Sequence, residues 1–380
     1  MPLPEEKIRR KKALSANAVA DSADLQHYYS SLSQRLALPD SDANTVIKVL
    51  IDTIDREAID DITSCPPNPM GGFPGVTSNR FYYLSEIVGN DVSADSAGAA
   101  LACFLSQIVA HQVNPNNNPP QMHSAATLVV DRACVVRQTL TLPNRFTLAG
   151  VGPDGEGTLT FDLPDNASAL RFAPASDAAI RMTTIRDIRI SGVSCCGQVG
   201  INVSNSQFIY IDRVRLSGFA IGIFGETAFS VFIANSSIHD NGFVNMVMGE
   251  DTTAWRVRDS VMSSGSIGVL ITTTARGHVI TGARIERNPV TGVWVNGSMN
   301  VIENSWFEGN GTVPTPLPGN AGAPSPSLHG IRITNLAKKT RILSNLFSSQ
   351  LIGNAGAETK SCFNMSFAPN STDVNQLRCR

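Results

Sequence analysis

Lysine is missing from most of this 380-residue chain: none occurs between Lys48 and Lys338. Imine chemistry on a lysine amine is therefore excluded from that whole body. Its permanent cations are all arginines, planar groups suited to carboxylates and phosphates. No apolar run approaches the ~20 residues that a membrane-spanning helix needs. There is no basic block in the body, and the formal charge is only −2. That argues against nucleic acid or a membrane surface as the main partner. No zinc spacing, glycine-rich phosphate cradle or Ser/His/Asp arrangement is present. The charged start, Met1 to Lys12, is not followed by an apolar core, so the sequence predicts a cytoplasmic protein, or an extracellular one if a leader has been removed or another export route is used. The seven cysteines are odd in number and scattered. Adjacent Cys195 and Cys196 make a poor disulfide pair, and reduced thiols are predicted.

What the chain has instead is repetition. Ile185-Arg-Asp-Ile-Arg-Ile190 recurs as Ile211–Leu216, Ile233–Ile238, Val257–Met262, Ile280–Ile285, Ile302–Phe307 and Ile342–Phe347. The closing apolar residue falls at 190, 216, 238, 262, 285, 307 and 347, in steps of 26, 22, 24, 23, 22 and 40. Recurrence at this period marks a solenoid, in which each unit buries its apolar face only against its neighbours. Each unit alternates apolar and polar residues over a few positions, which reads as a short strand. A glycine then opens a second short strand in most units, at Gly200, Gly268, Gly292 and Gly330. There is no leucine lattice and no 3.6-residue period. The prediction is an all-β solenoid, a single-stranded right-handed parallel β-helix. Asn205, Asn235, Asn296, Asn304 and Asn335 are predicted at corners, where asparagine tolerates the left-handed conformation.

Taken in order, residues 1–75 read as a helical N-terminal appendage. Apolar residues recur at helical spacing over 17–36 (Leu25, Tyr28, Tyr29, Leu32, Leu36) and 43–62 (Val46, Val49, Leu50, Ile54), with Asp42 as an N-cap. Residues 76–370 are the predicted β-helix. A helix at about 93–110, capped by Ser93, would plug its open end. The 40-residue step is a Pro/Gly-rich insertion, residues 309–327, placed where it could border a binding surface.

The helix, a strand, and then the run from Thr139 to Phe161, TLTLPNRFTLAGVGPDGEGTLTF, resemble the N-terminal cap and first coil of the pectate-lyase-like superfamily of right-handed parallel β-helix proteins. The resemblance spans roughly Ser93 to Phe367 and departs at Asp131–Val136, where those proteins often carry Pro-Ala-Gly-x-Tyr. It implies a carbohydrate-active enzyme, a polysaccharide lyase or a glycosidase.

Alternation along the regular strand sorts its faces. If the residue closing each repeat points inward, its neighbours point out. Arg189, Arg215, Ser237, Val261, Arg284, Trp306 and Leu346 then form one surface column. Ser191, Ser217, His239, Ser263, Glu286, Glu308 and Ser348 form the next. Two carboxylates on successive coils can serve as acid and base or nucleophile. The predicted catalytic residues are accordingly Glu286, Glu308, His239 and Arg284, with Arg215, Trp306 and Trp294 binding substrate: arginine against a uronate carboxylate, tryptophan against a sugar ring or a subunit interface. No metal site is predicted outright, although Ca²⁺ on the carboxylates fits a lyase. Asp240 is expected to point to the corner, and His278 and His329 to be ordinary turn residues. The same residues also fit a solvated face in which Glu286 and Arg284 form an ion pair. Two other classes stay open. One is a non-catalytic, tail-fibre-like glycan-binding homotrimer, suggested by the apolar run of Val261, Trp306 and Leu346. The other is an intracellular isomerase or cyclase acting on a small molecule.

Overall fold

The computed structural model describes residues 81–88, 93–113, 126–152, 157–164, 167–172, 182–193, 198–312, 329–348, 351–354, 359–362 and 364–366. The proposed helices at 17–36 and 43–62, and most of the 309–327 insertion, lie outside them.

Strands stack in parallel into a 19-stranded sheet and a 9-stranded sheet. The larger sheet has two arms. A typical coil runs through a first arm (Arg256–Arg258), a second arm (Val261–Ser263) and one strand of the smaller sheet (Ile267–Ile271). In earlier coils one strand crosses both arms, as in Thr183–Gly192 and Gln207–Ser217. The residues that close the sequence repeat are paired coil to coil, Ile190 to Leu216 to Ile238 to Met262 to Ile285 to Phe307 to Phe347. The period read from the sequence is therefore the coil of the solenoid. The 40-residue step leaves this register intact, because the insertion departs after the second arm and the chain returns to the smaller sheet at His329.

Three apolar columns fill the interior. Ile185, Ile211, Ile233, Val257, Ile280, Ile302 and Ile342 stack along the first arm. The residues just named stack along the second, and Ile201, Ile223, Met246, Val269, Val293 and Ile331 along the smaller sheet. All belong to one buried core.

Sharp corners need positive φ, and the chain supplies it at matching positions in successive coils. Asp187, Arg213, Asn235, Asp259, Gly282 and Asn304 bend the first arm into the second, all with φ between 49° and 62°. Asn205 also occupies a left-handed corner (φ 53°). Asn296 and Asn335 do not; Asn296 is buried and accepts hydrogen bonds from Trp294 Nε1 and Thr334 Oγ1.

Buried polar ladders complete the corners. Ser236, Ser260 and Ser305 each donate to the carbonyl two residues back and accept a backbone N–H from the preceding coil. Asn241, Asn288 and Asn310 bridge coils at the turn after the second arm, and Asn345, at the bend between the arms, accepts the Ser305 N–H and donates to the Ile302 carbonyl. Buried backbone groups must be paired, and these side chains pair those that the corner removes from the ladder. The glycine that opens most smaller-sheet strands has a steric cause. A Cβ on Gly268 would sit 2.4 Å from the Gly292 carbonyl oxygen, and one on Gly292 2.5 Å from that of Gly330.

The N-terminal end is closed by helix α1 (Leu84–Val88) and helix α2 (Ala94–Val113). Ser93 caps α2, its Oγ accepting the Ser96 N–H at 3.2 Å. The apolar face of α2, including Leu101, Phe104, Leu105 and Ile108, joins the core. Helix α2 lies so close to the first coil that a Cβ on Gly98 would fall 1.9 Å from the Val135 oxygen. Cys103 in this helix is disulfide-bonded, which corrects the prediction of reduced thiols throughout. Cys134 is free and buried, and burial pushes its thiol up to about 12, so it behaves as an inert core residue.

Candidate functional site

The second-arm face carries both predicted columns. His239, Ser263, Glu286, Glu308 and Ser348 are paired in line across successive coils. Beside them Arg215, Ser237, Val261, Arg284, Trp306 and Leu346 are paired in the same way. Glu286 and Glu308 are therefore direct neighbours, their backbones about 4.8 Å apart. His239 stands two coils before Glu286, with Ser263 between them.

The two carboxylates have unlike surroundings. Glu286 is only 5% exposed. Its Oε2 accepts from Arg284 Nε at 2.6 Å, and its Oε1 from Arg287 Nη2 at 3.0 Å. Arg287 was not anticipated. It sits at a left-handed corner (φ 55°) immediately after the strand, which turns its guanidinium back onto the preceding carboxylate. Glu308 is exposed, and its Oε2 accepts the indole N–H of half-buried Trp306 at 3.1 Å. His239 has a partner of the same origin. Asp240, also left-handed (φ 52°), places Oδ2 2.7 Å from His239 Nδ1. Asp240 thus stands at the corner, as expected, and its pairing with His239 was not anticipated. The pattern could have been read from the sequence, since a charged residue directly follows the outward column in both coils.

Arg215 lines a shallow depression of about 220 Å³ at the bend between the arms, with Arg213, Asn235, Ser237, Asp259 and Val261. Arg213 there is committed to Asp187 and Asp212. The hydrogen bonds from Arg213 hold the Asp187 carboxyl below its usual range.

Trp294 does not belong to this face. It is fully buried on the outer side of the smaller sheet, within a second apolar cluster that includes Phe224, Val247 and Leu270. The Arg332 guanidinium lies 4.2 Å from its ring centroid. A sugar has no access to it. His278 is not a surface residue either. It is fully buried at a corner, and desolvation pushes its pKa down to about 3. Its Nδ1 accepts the Trp255 N–H at 3.1 Å, so the proton of the neutral ring sits on Nε2, 3.3 Å from Thr252 Oγ1. His329 opens a smaller-sheet strand, and burial first, then the charge of Arg332, lowers its pKa to about 4.

Among the described residues no group of three His, Cys, Asp or Glu side chains is arranged to hold a metal ion. A Ca²⁺ ion on the paired carboxylates would have to displace the guanidiniums from Glu286. No described helix is long and apolar enough to cross a membrane.

The model of a right handed beta helix region matches residues 168–371. The chain belongs to this right-handed β-helix family. No curated protein sequence matches it. Solved structures of the family's fold resemble this β-helix protein at low identity. The enzymatically active domain of tailspike protein 2 from bacteriophage CBA120 is 11% identical (TM-score 0.56), the match covering 75% of this chain and 42% of the tailspike chain. The DFA-IIIase of Arthrobacter chlorophenolicus A6 without its lid, in complex with GF2, is 12% identical (TM-score 0.57), covering 77% and 90%. The Dettilon tailspike protein is 12% identical (TM-score 0.53), covering 75% and 62%. This chain thus spans less than half the length of the CBA120 tailspike chain.

Proposed function

We propose that this β-helix protein is a carbohydrate-active enzyme, a polysaccharide lyase or glycosidase, working on the outward face of the second arm. One observation carries the reading: Glu286 and Glu308 are paired on successive coils, flanked by Arg284, Arg287 and the Trp306 indole. Backbones ~4.8 Å apart bring the carboxyl groups into range of the ~5 Å separation of retaining glycosidases. Glu308, open to solvent, is the group free to exchange a proton with substrate. Glu286, held at both oxygens, fixes two guanidiniums whose remaining donors can neutralise a uronate carboxylate. Trp306 offers a ring for a sugar to pack on, and the His239–Asp240 pair can pass a proton at the edge of the site. The resemblance to the pectate-lyase-like superfamily supports a sugar substrate, and the tailspike domain described as enzymatically active and the DFA-IIIase seen with GF2 support catalysis on this fold.

A second reading, a non-catalytic glycan-binding module that assembles as a homotrimer, is favoured by the double clamp on Glu286 and by half-buried Val261, Trp306 and Leu346 on the same face. A screen of acidic and neutral polysaccharides separates the two, with and without Ca²⁺, following absorbance near 235 nm and reducing ends beside Glu308→Gln and Arg284→Ala. New absorbance marks a lyase and reducing ends alone a glycosidase, and either should fall at least 100-fold in Glu308→Gln. Glycan retention without turnover, together with a trimeric mass, would overturn the enzymatic reading. Turnover of a small sugar in place of any polymer would move the protein to the isomerase or cyclase class.

A further inference from the structure

The first arm has an outward column of its own. Phe81, Thr127, Thr147, Thr184, Tyr210 and Phe232 are paired in line across successive coils. Their strand neighbours Leu128, Leu148, Ile185 and Ile211 lie in the core, so this column faces out. Phe81 is 57% exposed and Tyr210 38%. Three threonines on consecutive coils separate them, so two aromatic walls enclose a row of small hydroxyl side chains ~19 Å long. The wall at Tyr210 is doubled. Its ring stacks on that of Phe232, with 4.9 Å between centroids and 8° between planes. Exposed Phe229 enters the same coil three residues before Phe232.

The charge beside these rings has one sign. Arg256 follows Phe232 in its column, and Arg276 follows Phe229 by way of Thr253. Both arginines are exposed, and neither is paired with a carboxylate among the described residues. Arg186, Arg213, Arg258, Arg284 and Arg287, by contrast, are all paired. No Asp or Glu stands in either column.

We propose that this first-arm face binds an acidic polysaccharide. The threonine row meets its hydroxyls, the aromatic walls pack on apolar sugar faces, and Arg256 and Arg276 pair with its carboxylates or sulfates. A protein partner calls for a contiguous apolar patch, and here threonines part the aromatics. The site is continuous with the second-arm face, because the strand Gln207–Ser217 carries Tyr210 at one end and Arg215, in the depression between the arms, towards the other. The proposal rests on the reading of a sugar substrate and adds where units remote from Glu286 and Glu308 are held.

The test is retardation of the full-length protein in native gels containing polygalacturonate, alginate or chondroitin sulfate. At least one should retard the wild type. Phe81→Ala, Tyr210→Ala and Arg256→Ala should each weaken that binding about fivefold to tenfold. Tyr210→Phe keeps the ring and should match the wild type, and Arg256→Ala, at an exposed position, keeps the test readable if Tyr210→Ala loosens the stack. Arg256→Ala should also flatten the salt dependence of binding. Retardation needs no turnover, so a silent activity screen would sink the catalytic reading and leave this result standing. No retardation of the wild type, or equal retardation of all three alanine variants, would overturn the proposal. So would tighter binding to oligo(dT), or a wild-type dimer that Tyr210→Ala dissociates.

Discussion

Glu286 and Glu308 project from the same position of successive coils, yet Glu286 is clamped between Arg284 and Arg287 while Glu308 stands in solvent with one indole N–H. Identical register therefore gives two carboxylates with opposite consequences for substitution. Glu286→Gln removes the acceptor of two charge-assisted bonds at a buried site and should destabilise the fold by about 1–2 kcal/mol. Glu308→Gln removes a surface charge and should stay within about 0.5 kcal/mol of the parent. Urea midpoints for the two variants check this. Equal midpoints would mean that the Glu286 clamp contributes nothing to the fold.

The asparagine ladder predicts a larger contrast. Asn288 donates to the Met262 carbonyl and to Asn310 Oδ1, and accepts from the Gly265 N–H, all in a fully buried corner. Asn288→Ala orphans two backbone groups, each costing about 1–3 kcal/mol. A loss of about 2–4 kcal/mol is expected by chemical denaturation. Asn335→Ala, at an exposed position, should change stability by less than about 0.5 kcal/mol.

The two asparagines also mark what could be read from sequence alone. The coil, its register and its inward columns were legible because period-2 alternation within each strand and a ~23-residue repeat between strands act on the same residues. Alternation assigns a side, however, and not what lies on that side. Trp294 was correctly placed off the inner column and wrongly placed in solvent. Strands such as Val244–Met248 and Ile267–Ile271 are buried throughout, and apolar residues at both parities are the sign of a sheet covered on both faces. Arg287 and Asp240 were missed as partners for a different reason. Each follows the strand in a left-handed corner, where the backbone reverses the direction that simple alternation would give its side chain.

Gly292 tests the stacking distance itself. Its missing Cβ leaves room for the Gly330 carbonyl, 2.5 Å from where that atom would lie. Gly292→Ala cannot be absorbed by a side-chain movement, because the clash is with backbone. It should destabilise by about 2–4 kcal/mol, whereas alanine at Gly277, where a Cβ meets nothing, strains only its positive φ of 70°. That change should cost about 1 kcal/mol. Thermal melts of both variants check the order; a Gly277→Ala loss as large as that of Gly292→Ala would refute the steric account.

Acid sensitivity should begin with the buried histidines. His278 is held neutral, with its pKa depressed from 6.5 to about 3 by desolvation, and His329 is depressed to about 4. In the unfolded chain both take up protons as the pH falls through about 6.5, while the folded chain does not. The unfolded state then binds more protons, so stability is fully present above pH 6.5 and declines as pH falls toward the folded values. Each such histidine contributes up to ~1.4 kcal/mol per pH unit. Between pH 6.5 and 4.5 most carboxylates have not yet titrated, so the slope in that window belongs mainly to these two groups. His278→Asn should lower stability at pH 7.5, through the lost bond to the Trp255 N–H, and should also flatten the decline by nearly one proton. Denaturation midpoints measured at half-unit steps across the window read out both effects. An unchanged slope in the variant would show that His278 is already protonated in the folded protein, against the acceptor role its Nδ1 plays at the corner.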